Sequence, residues 1–126
     1  MVTSALSSCP DTKLVMSGYS QGGQLVHKAA KLLPAATTAK VSSAVIFGDP
    51  GLCFQTLLTN FYGKLTICYF IDNGQAVQGV ASSKTDIICH VGDNICQGGD
   101  MILGPHLTYY MDVGSAASFI KSAAGF

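Results

Sequence analysis

The stretch KLVMSGYSQGGQLVHKAAKLL, residues 13–33, decides the fold. Lys13 to Ser17 is a short, partly apolar run that stops at Gly18, which reads as a buried strand. From Gln21 to Leu33 the apolar residues Leu25, Val26, Ala29, Ala30, Leu32 and Leu33 fall on one face of a helix, and Pro34 ends it. Between strand and helix lies Gly18-Tyr19-Ser20-Gln21-Gly22, the pattern G-x-S-x-G. A turn this sharp forces its serine into a strained backbone, and small neighbours let strand and helix approach. The hydroxyl then stands above the sheet edge, where the helix N-terminus presents unbonded N–H groups. Ser20 is the expected nucleophile, and the Gln21 N–H is one expected oxyanion donor. The competing reading is a glycine-flanked turn with an ordinary serine. The strand–turn–helix setting favours the nucleophile.

Outward from that junction, VSSAVIF (Val41–Phe47) reads as a second strand closed by Gly48-Asp49-Pro50. Leu65 to Ile71 has a strand pattern, and Asn73 to Ser83 is a Gly-, Ser- and Gln-rich loop. TDIICHV (Thr85–Val91) is a further strand, and the glycine-rich 92–105 is a long functional loop. Val113 to Ala124 closes the chain as a helix with Ala116, Ala117, Phe119 and Ile120 inward. Strands alternating with helices predict an α/β fold with a mostly parallel sheet.

Composition narrows the chemistry. The 126 residues are 48% apolar and 11% charged, which excludes a disordered chain and fits one domain. The charges are seven lysines against seven aspartates, with neither Arg nor Glu, so the net charge is zero. No basic field or guanidinium fork is available for phosphate, and nucleic acid is not an expected partner. Leu52 to Ile71 is the longest greasy region, but polar residues interrupt it, and no stable membrane insertion is expected. Met1 to Ser8 is too short and polar for a secretory signal. Five cysteines (9, 53, 68, 89 and 96) leave at least one thiol without a partner within the chain, and Cys89 and Cys96 enclose a short loop that a disulfide could close. No Cys/His set has zinc-ligand spacing, so neither metal nor cofactor is expected.

A serine nucleophile needs a base, and the base needs an orienting carboxylate. In a strand–elbow–helix hydrolase the chain order is Ser, Asp, His. Beyond the first helix, only His90 and His106 follow Ser20. His90 sits in the TDIICHV run and reads as a packed or edge residue. His106 follows Gly104-Pro105 in a loop before the last helix and is the expected base. His27, on the first helix, reads as a surface residue. The acid should follow a strand and precede the base. Asp93 does so, although Gly-Asp-Asn is also an ordinary turn. Asp100 and Asp86 are its rivals, and Asp49 is the remaining candidate. Met101, Ile102, Leu103 and Leu107 around His106 suit either an aliphatic acyl chain or the core.

CPDTKLVMSGYSQGG (Cys9–Gly23), VIFGDP (Val45–Pro50), ICHVGDNICQGGD (Ile88–Asp100) and GPHLTYYMD (Gly104–Asp112) together resemble the fungal cutinases, secreted serine esterases of the α/β-hydrolase superfamily. The resemblance implies a three-layer α/β-hydrolase-like fold and a Ser20–His106–Asp93 triad with Gln21 in the oxyanion hole. It also implies a Cys89–Cys96 bridge, secretion, and a monomer acting on ester substrates: cutin and short-to-medium acyl esters. An acetylxylan esterase or lipase of the same layout, or a catalytically incompetent remnant, are the alternatives. Against that family the chain reads as the C-terminal part of one domain, its sheet incomplete on the N-terminal side. The missing side would carry the partner of Cys9 and a second oxyanion donor. Residues 51–71 match nothing in the resemblance and read as a translated intron or an insertion, in the latter case with Cys53 and Cys68 paired across it.

Overall fold

A computed structural model describes residues 1–51 and 76–126, together with the strand backbones of 54–60 and 63–69. The elements run α1 (Val2–Ser8), β1 (Leu14–Tyr19), α2 (Gln21–Leu32), α3 (Ala35–Thr38), β2 (Val41–Phe47), β3 (Phe54–Asn60), β4 (Gly63–Tyr69), β5 (Thr85–Ile88) and α4 (Val113–Ala124). Strands β1, β2 and β5 form a parallel sheet in that order, with β2 central. The α/β fold of hydrolase type expected from the sequence is therefore present.

The central strand explains the layering. Alternate side chains of a strand point to opposite faces. In β2, Ala44, Val45 and Ile46 are all buried, so both faces are covered. On one face Ala44 and Ile46 join Met16 of β1 and Val26 and Ala30 of α2 in the main core, which Val77 and Val80 complete. Helix α4 packs against β2 through a stripe where Ala116 and Ala124 are buried and Phe119 and Ile120 half-buried. Ala117, expected inward, is exposed, because it falls off the i, i+3, i+4 stripe.

Helix α2 departs from its expected face in the same way. Its inward residues are Gly23, Val26, His27 and Ala30, while Leu25 and Leu32 are 66% and 87% exposed. The spacing 23, 26, 27, 30 is one helical face as good as the one the leucines suggested. His27, read from sequence as a surface residue, is only 3% exposed. Its Nε2 lies 3.1 Å from Oδ2 of the fully buried Asp49, whose Oδ1 accepts the Gly51 N–H. The helix ends as expected: Leu33, the residue before Pro34, is extended at φ −84° and ψ 145°.

Two further readings are corrected, and one element was not foreseen. Helix α1 had no sequence signal. The strand at 85–91 stops at Ile88, whose carbonyl takes the last ladder bond from the Gly48 N–H, and His90 lies in the loop beyond. The strand expected at 65–71 is realised as β4 over Gly63–Tyr69, but it pairs antiparallel with β3 in a separate two-stranded sheet. The reading of 51–71 as intron or insertion, and the Cys53–Cys68 pairing, fall on side chains outside the described residues. Among those described, Cys9 is a free, exposed thiol, and no helix is long and apolar enough to cross a membrane.

Candidate active site

Three parallel strands end on one edge of the sheet, and each end supplies part of the site. β1 runs into Ser20, β2 into Gly48, and β5 into the loop that carries Asp93. Ser20 sits at φ 55° and ψ −125°, the one non-glycine residue with positive φ among those described. Such a backbone costs on the order of 1–3 kcal/mol and persists only where its surroundings fix it. Here the Ser20 N–H is held by the Phe47 carbonyl at 2.9 Å, and the Ser20 carbonyl accepts the Gly23 N–H at 2.9 Å. The glycines that permit the turn differ from those expected. A Cβ on Gly18 would run into the Gly22 backbone, and one on Gly23 would lie 2.5 Å from Ile46 Cγ2, whereas one on Gly22 would meet open space. Gly18 and Gly23, rather than Gly18 and Gly22, set the approach of strand and helix.

The polar groups then line up. Ser20 Oγ lies 3.0 Å from His106 Nε2, and His106 Nδ1 lies 2.8 and 3.0 Å from the two oxygens of Asp93. Asp93 is fully buried and His106 is 1% exposed. A buried carboxylate is costly unless its lone pairs are filled. Tyr109 donates its hydroxyl to Asp93 Oδ2 at 2.6 Å, and the Ile95 N–H donates to Oδ1 at 3.0 Å. Burial alone would raise the pKa of Asp93, but the Tyr109 and His106 bonds, the His106 charge and the Ile95 N–H together hold it below the ordinary aspartate value. Burial and the bond to Asp93 push the Tyr109 phenol upward, so it stays a donor. Cys89 and Cys96 are joined in a disulfide that closes the loop around Asp93.

The expected residues Ser20, Asp93 and His106 are thus brought together. The rivals are elsewhere. Asp86 lies within β5 opposite Val45, Asp100 is exposed, and Asp49 faces His27 and Gly51. His90 has both ring nitrogens engaged away from Ser20. Gln21 opens α2, so its N–H has no acceptor one turn back within the helix.

Three contributors carried no sequence signal. Tyr109 is one. Tyr19, the residue before Ser20, donates its hydroxyl to the His106 carbonyl at 2.7 Å and so ties the His106 segment to the elbow. Gly48 is the third: it sits at φ +58°, and a Cβ there would lie 2.9 Å from Tyr109 Cε2 and 3.0 Å from His106 Cε1. Gly48→Ala should therefore cost about 2–4 kcal/mol, from left-handed backbone and overpacking together. A thermal melt with an unchanged midpoint would contradict this account of the His106 pocket. Met101, Ile102, Leu103 and Leu107, which flank His106 in sequence, are exposed rather than packed in the core.

Comparison with known proteins agrees with this fold. The family model described as Cutinase matches residues 1–124. A cutinase of Botryotinia fuckeliana is 65% identical over 125 residues, covering 99% of this chain and 52% of that protein. One from Monilinia fructicola is 62% identical with the same coverage. The structure of Trichoderma reesei cutinase in complex with a C11Y4 phosphonate inhibitor superposes with a TM-score of 0.77 at 45% identity, covering 98% of this chain and 47% of that one. The chain spans about half the length of these relatives. A family match over nearly its whole length means that the chain belongs to the cutinase family.

Proposed function

We propose that the protein is a secreted serine esterase that cleaves ester bonds by acyl transfer, with Ser20 as nucleophile, His106 as general base and acid, and Asp93 as the orienting carboxylate. The observation that carries this reading is the continuous relay from Ser20 Oγ through both nitrogens of His106 to Asp93, at 3.0 and 2.8 Å. Asp93 and Tyr109 fix the tautomer. With both Asp93 oxygens accepting, His106 keeps its proton on Nδ1 and leaves the Nε2 lone pair facing the hydroxyl.

In the reaction, His106 Nε2 takes the Ser20 proton as Oγ attacks the ester carbonyl. The Gln21 N–H, at the positive end of α2, receives the oxyanion. His106, now an imidazolium beside the ionised Asp93, returns its proton to the leaving alcohol. Water, deprotonated by the same nitrogen, releases the acid and restores Ser20. The reaction balances without a metal or cofactor.

The exposed Met101, Ile102 and Leu107 suit an aliphatic acyl chain, and the low charge of the protein suits an uncharged ester. Cutin and short-to-medium acyl esters are the proposed substrates, in keeping with the family. The Cys89–Cys96 disulfide favours an oxidising compartment and hence export. Hydrolysis of a chain-length series of p-nitrophenyl esters tests the substrate reading. The expected result is kcat/KM greater for butyrate to octanoate than for acetate, about tenfold per two methylenes buried. Preference for acetate would instead indicate an acetylxylan esterase.

A further inference from the structure

His90 was expected to be a packed or edge residue, and the reaction above does not use it. Its surroundings are nonetheless specific. Nδ1 lies 2.9 Å from the Pro105 carbonyl and 3.1 Å from Thr108 Oγ1, while Nε2 lies 2.6 Å from Asp112 Oδ2. Thr108 Oγ1 also donates to the Pro105 carbonyl at 3.1 Å, which leaves it free to accept from the ring. The imidazole stacks on Tyr109 with centroids 4.1 Å apart and planes 20° from parallel, and the His90 backbone N–H donates to the Tyr109 hydroxyl at 2.9 Å.

Both ring nitrogens therefore point at acceptors. A neutral imidazole has one N–H and one lone pair. Either tautomer would set a lone pair against an oxygen, a carbonyl at one end or a carboxylate at the other. With the Thr108 hydroxyl donating to the Pro105 carbonyl, the doubly protonated ring is the form that satisfies every contact. What that ring grips is the machinery's support: Pro105 is the residue before His106, and Tyr109 is the donor to Asp93.

We propose that His90 is a positioning residue whose imidazolium, clamped between the Pro105 carbonyl and Asp112, holds the His106 segment in register with Asp93, so that activity falls on the alkaline side as His90 loses its proton. The inference rests on the reading of His106 as the base. The groups facing His90 are Asp112 and Tyr109 on the 109–112 turn, Asp93 on its own loop, and His106, whose ring lies edge-on to Tyr109. Desolvation opposes the charge on His90. The Asp112 bond, the Pro105 carbonyl and the charges of Asp112 and Asp93 outweigh it and raise the His90 pKa above the ordinary histidine value. The support is thus complete below the ordinary histidine range and is lost as pH rises through that raised value.

The test pairs a nitrogen-15 NMR titration of the His90 ring with pH profiles of p-nitrophenyl ester hydrolysis and of fluorophosphonate labelling. Wild type, Asp112→Asn and His90→Asn are compared. In wild type the His90 ring should titrate above the ordinary histidine value. In Asp112→Asn the ring should titrate about one pH unit lower, and the alkaline limb of kcat should move down with it while KM stays constant. His90→Asn keeps a donor for the Pro105 carbonyl but cannot titrate, so it should keep kcat within about tenfold and lose that limb. A His90 ring that titrates at or below the ordinary histidine value, or an alkaline limb at one pH in all three proteins, overturns the proposal. A wild type that takes up no fluorophosphonate overturns the esterase reading and this inference with it. Labelled wild type with an unmoved limb overturns this inference alone.

Discussion

Replacing Ser20 with alanine should lower kcat for ester hydrolysis by about 10⁴–10⁶-fold. The size follows from what is lost. Oγ is the atom that bonds to the acyl group, and water held near His106 would lack its fixed position 3.0 Å from Nε2. The fold should barely notice. Alanine keeps the Cβ, so the backbone at φ 55° is as strained as before, and stability should change by no more than about 0.5 kcal/mol. A folded Ser20→Ala variant with wild-type turnover would remove Ser20 from the mechanism.

Asp93→Asn should lower kcat by about 10⁴-fold through a different route. Asp93 accepts from His106 Nδ1, the Tyr109 hydroxyl and the Ile95 N–H. An asparagine replaces one of its acceptor oxygens with an NH₂ group. If that group faces His106, the ring moves its proton to Nε2 and can no longer take the Ser20 proton. If it faces Tyr109, the phenol loses its buried acceptor, at about 1–3 kcal/mol. The pH dependence has a definite sign. The folded-state pKa of Asp93 lies below its unfolded value, so its contribution to stability is full above the unfolded aspartate range and disappears as pH falls through the folded value. The gap in melting temperature between wild type and Asp93→Asn should therefore narrow in acid. A gap that is constant from neutral pH into strong acid would mean that the carboxylate is not held in its charged form.

Much of this site was legible in the sequence, for reasons that can be named. The elbow announced itself because few residues tolerate a strained turn between a strand and a helix. His106 and Asp93 followed from chain order and from their positions after strands. The supporting residues were not legible in that way. Tyr109 and Tyr19 act through hydroxyls whose targets are far away in sequence, and an aromatic residue in a loop gives no hint of them. Gly48 could be read as a strand end but not as the space that admits the His106 ring. His27 looked like a surface residue because leucines at 25 and 32 drew the apolar stripe elsewhere on α2. The true face, led by Gly23 and Val26, is selected by the close fit of Gly23 to Ile46 on the sheet. The β3–β4 hairpin shows the limit of local pattern: one of its strands was foreseen, but its partner and its separation from the main sheet were not.

The central claim is that Ser20 is an activated nucleophile, and a fluorophosphonate probe tests it directly. Intact-mass and peptide mass spectrometry of the treated protein should find one adduct, on Ser20, and none in Ser20→Ala. A folded wild type that carries no adduct, or carries it on another residue, would contradict the account.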